Sequence, residues 1–298
     1  MIEIDSVTKT FDGFTALDNF SMNIKKGSIY GLIGVNGSGK TTIIKHIAGI
    51  YKQDKGSILF EGEPVYDNAL VKERVGFIPD DMHFFTNHSI KALRSFYRNI
   101  YKNWNDERYE KLVKLFKLDS GRRINKFSKG MQKQTAFIFA MSIMPDFLLL
   151  DEPIDGLDPI VRKLLMQEVM EDVADRELTV LVSSHNLKEM EGICDAVGIM
   201  KNGKMLIERD IDDLKSDIHK VQIAFKDSTQ VDDLKYKTLN ILHKEKQGSV
   251  ELLIVRGKEN DVIGNIENLN PVIYDLLPLT LEEIFTYETG GEFNEVPY

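Results

Sequence analysis

The sequence predicts an α/β protein in which a largely parallel sheet is interrupted by a helical insertion and followed by a small α+β domain. Three observations carry that prediction. An apolar run, IYGLIGV from Ile29, enters a glycine-rich loop and then a helix; apolar residues from about 84 to 144 recur at helical spacing; and two apolar strand candidates joined by a helix return after that stretch. At 298 residues the chain is long enough for two domains, and its 42% hydrophobic and 29% charged residues are those of an ordinary globular protein.

Taken in order, MIEIDSVTKTF alternates apolar and polar residues as a strand does, and Leu17, Phe20, Met22 and Ile24 continue the pattern after a register shift. IYGLIGV does not alternate, which marks burial on both faces. KTTIIKHIAGI reads as a helix, and SILF and RVGFI, separated by a Gly-Glu-Pro turn, read as short strands completing a sheet-rich first lobe. Ile90, Leu93, Phe96, Tyr97 and Ile100, then Leu112, Leu115, Phe116 and Leu118, give the helical insertion. FLLL before Asp151 and LTVLVS before Ser184 flank a helix over Val161–Ala174, a β-α-β pattern. A boundary is expected near Ser216, separating residues 1–215 from 216–298. Beyond it VQIAF, LNIL, VELLIV and VIYDLL read as strands, with helices at 231–234 and Asn260–Leu269, a β-α-β-β-α-β order of the ferredoxin-like kind.

Composition excludes several classes. A formal net charge of -9 disfavours nucleic acid as the main partner, because phosphate backbones call for a broad excess of Lys and Arg. The single cysteine, Cys194, can build neither an internal disulfide nor a Cys-rich zinc site, fits a reducing compartment, and reads as a small buried apolar residue. The amino terminus lacks the pattern of a signal peptide, so a cytoplasmic protein is expected. The most apolar stretch, Ala136–Leu150, is broken by Pro145 and Asp146, short of the roughly 20 residues a spanning helix needs. Any membrane connection is therefore expected through partners.

The chemistry concentrates in a few places. GVNGSGKT, Gly34–Thr41, satisfies G-x-x-x-x-G-K-[ST] between a buried-type strand and a helix. Gly34, Gly37 and Gly39 let backbone N–H groups curl around a β-phosphate, with Asn36, Ser38 and Thr42 completing the ATP-binding turn. Lys40 bridges the β- and γ-phosphates and Thr41 supplies a hydroxyl to Mg²⁺. FLLLDE places Asp151 and Glu152 at the carboxyl end of a buried strand, Asp151 as a Mg²⁺ ligand and Glu152 as the general base for an attacking water. His185, after LTVLVSS, is expected at the same sheet edge.

With FSKGMQ, DGLDP and SSH following in order, residues 1–215 resemble an ABC transporter ATPase. The resemblance implies a P-loop NTPase core with an antiparallel β-subdomain and a helical insertion. It also implies a homodimer or heterodimer of ATPase subunits, in which Ser128, Lys129 and Gly130 of one close over the nucleotide held by the other. Asp158 matches the loop linking the two sites, His185 the switch histidine, and Phe11 the aromatic residue that stacks on adenine, where tyrosine is more usual. On the residues alone, Ser128 and Asp158 also read as helix caps and Phe11 as packing at a strand end.

FSKGMQ departs from the family's LSGGQ at Phe127, Lys129 and Met131. In GFIPDD, Asp80 stands where the family has a glutamine that ligates Mg²⁺ and senses the membrane domain; a carboxylate also binds Mg²⁺ but adds charge and loses an amide donor. The partners implied are transmembrane permease subunits, with the chain peripheral to the inner face of the cell membrane. SKGM and the ending LTLEEIF are similar to exporters of antibiotics, bacteriocins and amphipathic peptides, so export is expected. The alternatives are an importer and a non-transport relative, whose usual paired cassettes or long coiled coils this chain lacks. The domain at 216–298 is expected to stabilise the dimer or regulate it.

Overall fold

Strand β1 (Ile2–Phe11) buries Ile2, Ile4 and Val7 and pairs antiparallel with β2 (Phe14–Ile24). The turn between them, Asp12-Gly13, has φ values of 46° and 85°, the left-handed pair that a two-residue hairpin needs. The computed structural model describes residues 1–81, 87–226 and 236–288. It divides into two units, Met1–Asn186 with Gly192–Glu208, and Leu187–Glu191 with the chain from Arg209 onward.

In the first unit β3 (Ile29–Ile33) is buried throughout and leads to α1 (Lys40–Ile47). The strands β4 (Lys55–Phe60) and β5 (Glu63–Pro64) complete an antiparallel sheet of order β2-β1-β4-β5. After α2 (Ala69–Glu73), β6 (Val75–Ile78) crosses to a different sheet. The helical insertion comprises α3 (Ile90–Ile100), α4 (Asp106–Phe116), a 3-10 turn at Ile124–Lys126 and α5 (Lys129–Ser142); the side chains of Ser89, Asn105 and Ser128 cap its α-helices. Arg108 of α4, 11% exposed, pairs with Glu168 at 2.7 Å and Asp172 at 2.8 Å, tying the insertion to the helix that follows the next strand. That strand is β7 (Phe147–Asp151), followed by α6 (Pro159–Arg176), β8 (Thr179–Ser184), α7 (Leu187–Met190), which is counted with the second unit, β9 (Ala196–Lys201) and β10 (Lys204–Asp210). The main sheet has the order β10-β9-β3-β8-β7-β6, parallel from β9 through β6.

RVGFI forms the expected strand, β6, which runs parallel to β7 at the edge of the main sheet. A helix that arrives later in the chain packs against it: a Cβ on Gly76 would stand 3.2 Å from the Ala140 carbonyl of α5. The two sheets share a core with α1 that includes Phe20, Tyr30, Ile43, Ile44, Leu149 and Leu181. Phe60 and Phe147 meet edge to face across it, centroids 4.1 Å apart. Burial pushes the Cys194 thiol well above its ordinary range, so it packs as a small apolar group.

The second unit contains α8 (Ile211–Asp217), β11 (Ile218–Ala224), β12 (Asn240–Gln247), β13 (Val250–Arg256), α9 (Glu259–Glu267), β14 (Ile273–Leu277) and α10 (Leu281–Glu288). Its sheet is antiparallel in the order β12-β13-β11-β14, so the first and third of its strands sit together at the centre, as a split β-α-β arrangement requires. Val221, Ile223, Leu253, Val255, Val262 and Ile266 form its core. The expected boundary at Ser216 falls inside α8. The expected helix at 231–234, and the start of the helical insertion at residue 84, lie outside the described residues. Among the described residues no helix is long and apolar enough to cross a membrane.

Candidate functional site

Because β3 is buried on both faces, it delivers the chain to the carboxyl edge of the main sheet, and the loop Gly34–Gly39 turns there into α1. Glycine is required at two of its positions for different reasons. A Cβ on Gly34 would stand 2.5 Å from both the Met200 carbonyl oxygen and Ser38 Oγ, whereas Gly39 has φ of 110° with the Ala16 carbonyl 2.9 Å from where its Cβ would lie. Asn36 and Gly37 are exposed, Thr41 is exposed, and Thr42 is half-buried in the first turn of α1. Lys40 is 5% exposed. Its Nζ donates to the carbonyls of Gly34 at 2.5 Å and Val35 at 3.3 Å, and lies 3.2 Å from Glu152 Oε1.

The ends of β7 and β8 supply the other wall. Asp151 Oδ1 accepts from Ser183 Oγ at 2.7 Å, and the same hydroxyl accepts from the Glu152 amide at 3.0 Å. Glu152 has φ of 46°, a region that a residue with a Cβ occupies only when its surroundings hold it. Its carbonyl accepts from Lys133 Nζ at 2.8 Å, and its Oε2 lies 3.1 Å from His185 Nδ1. Ligand atoms of Glu152, Asp155 and His185 fall within 4.8 Å of one another.

The structure therefore brings Lys40, Asp151, Glu152 and His185 together. Asp80 is engaged elsewhere: its carboxylate lies 3.2 Å from Lys133 Nζ. Ser128 and Lys129 are exposed at the start of α5, where Ser128 Oγ accepts from the Met131 amide at 3.2 Å. A Cβ on Gly130 would stand 3.2 Å from the Gly156 carbonyl, so this helix start lies against the loop that leads to Asp158. Asp158 caps α6, accepting from the Ile160 amide at 2.9 Å. Phe11 is 38% exposed, edge-on to Tyr51 at 5.5 Å and beneath the Lys9 ammonium.

Sequence reasoning missed Ser183, Lys133 and Asp155. Ser183 ends an apolar strand and carries no motif, and Asp155 sits in a loop. Lys133 did leave a signal, a lysine within the otherwise buried face of α5.

Ser38 Oγ, Asp151 Oδ2 and Glu152 Oε1 are buried and make no hydrogen bond; Lys40 meets Glu152 Oε1 as an ion pair without hydrogen-bond geometry. A buried polar atom left unsatisfied costs about 1–3 kcal/mol, so such a set marks a place where a ligand supplies the missing partners. A buried ammonium, a helix amino terminus and hydroxyl and carboxylate oxygens suit a phosphate chain with a hard divalent cation.

Comparison with known proteins gives the same picture. The family model for "ABC transporter" matches residues 17–155. The chain is 30% identical to the ABC transporter ATP-binding protein YtrB of Bacillus subtilis (strain 168), over 98% of this chain and 99% of that protein. It is 32% identical to the bacitracin transport ATP-binding protein BcrA of Bacillus licheniformis, over 72% of this chain and 71% of that one. A solved ATP-binding subunit of an ABC transporter superposes with a TM-score of 0.66 at 26% identity, covering 72% of this chain and 92% of that structure.

Proposed function

We infer, from the premise that this chain belongs to the ABC transporter family and is one of its ATPases, that Lys40 and Glu152 are the pair on which hydrolysis turns. The observation that carries this reading is their 3.2 Å approach beside Ser38 Oγ and Asp151 Oδ2, which are buried without a hydrogen bond. The loop amides from Gly34 to Thr42, with Asn36, Ser38 and the Lys40 ammonium, hold the triphosphate, and Phe11 offers its exposed ring to the adenine. Glu152 accepts a proton from water as the water oxygen attacks the γ-phosphorus and the bond to the β-phosphate oxygen breaks, leaving ADP and phosphate. His185, beside Glu152 Oε2, is placed to contact the same γ-phosphate. Magnesium, which when bound neutralises charge on the phosphate oxygens, would be held by Thr41 and by Asp151, whose Oδ2 is buried without a hydrogen bond. Asp80 joins that set only on leaving Lys133.

The exposed Ser128, Lys129 and Asp158, with the half-buried Gly130, support a dimer in which a second cassette, another copy or a paralogue, is laid against this face. The work is coupled to separate transmembrane subunits at the inner face of the cell membrane, a reading supported by the lack of a spanning helix among the described residues. Export of a small amphipathic compound or peptide is supported by likeness to a relative named for bacitracin transport.

Glu152→Gln tests the central claim: ATP binding persists while phosphate release falls by about 100-fold or more. Turnover near wild type in that variant removes Glu152 from the role of base. Co-purification from membranes, with the bound subunits identified, tests the assignment of partners.

A further inference from the structure

We propose that Lys133 is a positioning residue for hydrolysis, holding the backbone of Glu152 through its carbonyl and using Asp80 as its counter-charge. This deepens, and rests on, the reading of Glu152 as general base.

Lys133 is the fifth residue of α5, on a helix whose residues from Thr135 to Ser142 are all buried. Its own side chain is 9% exposed. An ammonium removed from water needs charged or strongly polar partners, and Lys133 has two: the Glu152 carbonyl at 2.8 Å and Asp80 Oδ1 at 3.2 Å. The first partner matters because Glu152 adopts φ of 46°, a conformation that costs a residue bearing a Cβ about 1–3 kcal/mol and persists only when both flanking peptides are held. Ser183 holds the Glu152 amide and Lys133 holds the carbonyl. Rotation of either peptide would swing the carboxylate off its contacts with Lys40 and His185.

The second partner accounts for a carboxylate at position 80. A glutamine amide could accept a hydrogen bond from Lys133 but could not offset its charge; Asp80 does both. The same ammonium thus joins three segments: the helix that begins at Ser128, the chain following β6, and the backbone of the base.

The test uses the purified full-length chain and three readouts: single-turnover phosphate release, equilibrium ATP binding, and thermal melting. In Lys133→Met, kcat should fall about 10- to 100-fold, the scale of a catalytic group displaced by about an ångström, while ATP affinity stays within about threefold of wild type. Asp80→Asn should lower kcat in the same direction but less, again with affinity kept, and should add little in the Lys133→Met background because both changes act through one contact. Wild-type kcat in Lys133→Met overturns the proposal, as does a loss of ATP affinity equal to the loss of kcat. Additive effects of the two substitutions overturn it as well, since Asp80 would then act independently of Lys133. Should Lys133→Met show no cooperative melt, Asp80→Asn decides alone, because it alters an exposed side chain; unchanged kcat there rejects the proposal. Glu152→Gln run alongside separates the two readings. Activity in that variant removes the base itself, whereas an inactive Glu152→Gln beside a fully active Lys133→Met rejects only the role of Lys133.

Discussion

Two loops of this chain open helices with small polar residues, Gly34–Thr42 before α1 and Ser128–Gly130 before α5, yet they are in opposite physical states. Around the first, Lys40 and Asp151 are 5% and 1% exposed, and Ser38 Oγ and Asp151 Oδ2 are buried with no hydrogen bond. In the second, Ser128 and Lys129 face solvent, and the Ser128 hydroxyl already accepts from Met131. The unpartnered atoms around the first loop carry a desolvation cost that a bound ligand would relieve; the Ser128 hydroxyl carries none. Under the proposed function the difference teaches that one half-site is built within the chain, while the other half acquires a role only when a charged surface is laid against it.

The largest expected effect breaks the first half. Lys40→Ala takes the ammonium from the Gly34 and Val35 carbonyls and from Glu152, and on the proposed reading removes a buried cation that would meet the phosphates. ATP affinity should fall by about 100-fold or more, since truncating one partner of a desolvated charge pair costs about 2–5 kcal/mol. Equilibrium nucleotide binding measures this, and an affinity within a few-fold of wild type would erase the contrast between the two loops.

A smaller effect sharpens the second half. Aspartate caps a helix about as well as serine does, so Ser128→Asp should leave stability within about 0.5 kcal/mol of wild type. If the second subunit's triphosphate comes to this helix start, the added carboxylate repels it, and turnover should fall about tenfold or more while ATP binding to the isolated chain is kept. Unchanged turnover would reduce Ser128 to a cap and leave the first half-site self-sufficient.

The same contrast explains what was legible beforehand. The first loop is local: its strand, its glycines and its lysine fall within a dozen consecutive residues, so the motif is readable there, although the Met200 and Ala16 carbonyls that crowd Gly34 and Gly39 come from elsewhere in the chain. The contacts that complete the site are not local. Ser183 reaches Asp151 and Glu152 across 32 and 31 positions, and Lys133 reaches Asp80 across 53. A hydroxyl ending an apolar strand, or a lysine within a helix, looks ordinary until the sheet order sets it beside its partner. RVGFI is legible as a strand, but which sheet it joins is not: its Gly76 packs against the Ala140 carbonyl of α5, which comes later in the chain. The hairpin of β9 and β10 also went unread, although it brings Met200 and Gly203 against the phosphate loop.

The smallest expected effect tests whether such a non-local contact matters to the chemistry. Ser183 is wholly buried, and its hydroxyl both donates to Asp151 Oδ1 and accepts from the Glu152 amide. Ser183→Ala preserves the strand but leaves that amide without its acceptor, which should cost about 1–3 kcal/mol of stability. Lys133 still holds the Glu152 carbonyl, so the residue is loosened on one side only. Turnover should therefore drop about threefold with ATP affinity unchanged, less than for either half-site substitution. Phosphate release and thermal melting on the same sample separate the two contributions. A loss of turnover as complete as that of Glu152→Gln would place the whole burden of holding the base on Ser183, and Lys133 could not then be its second anchor.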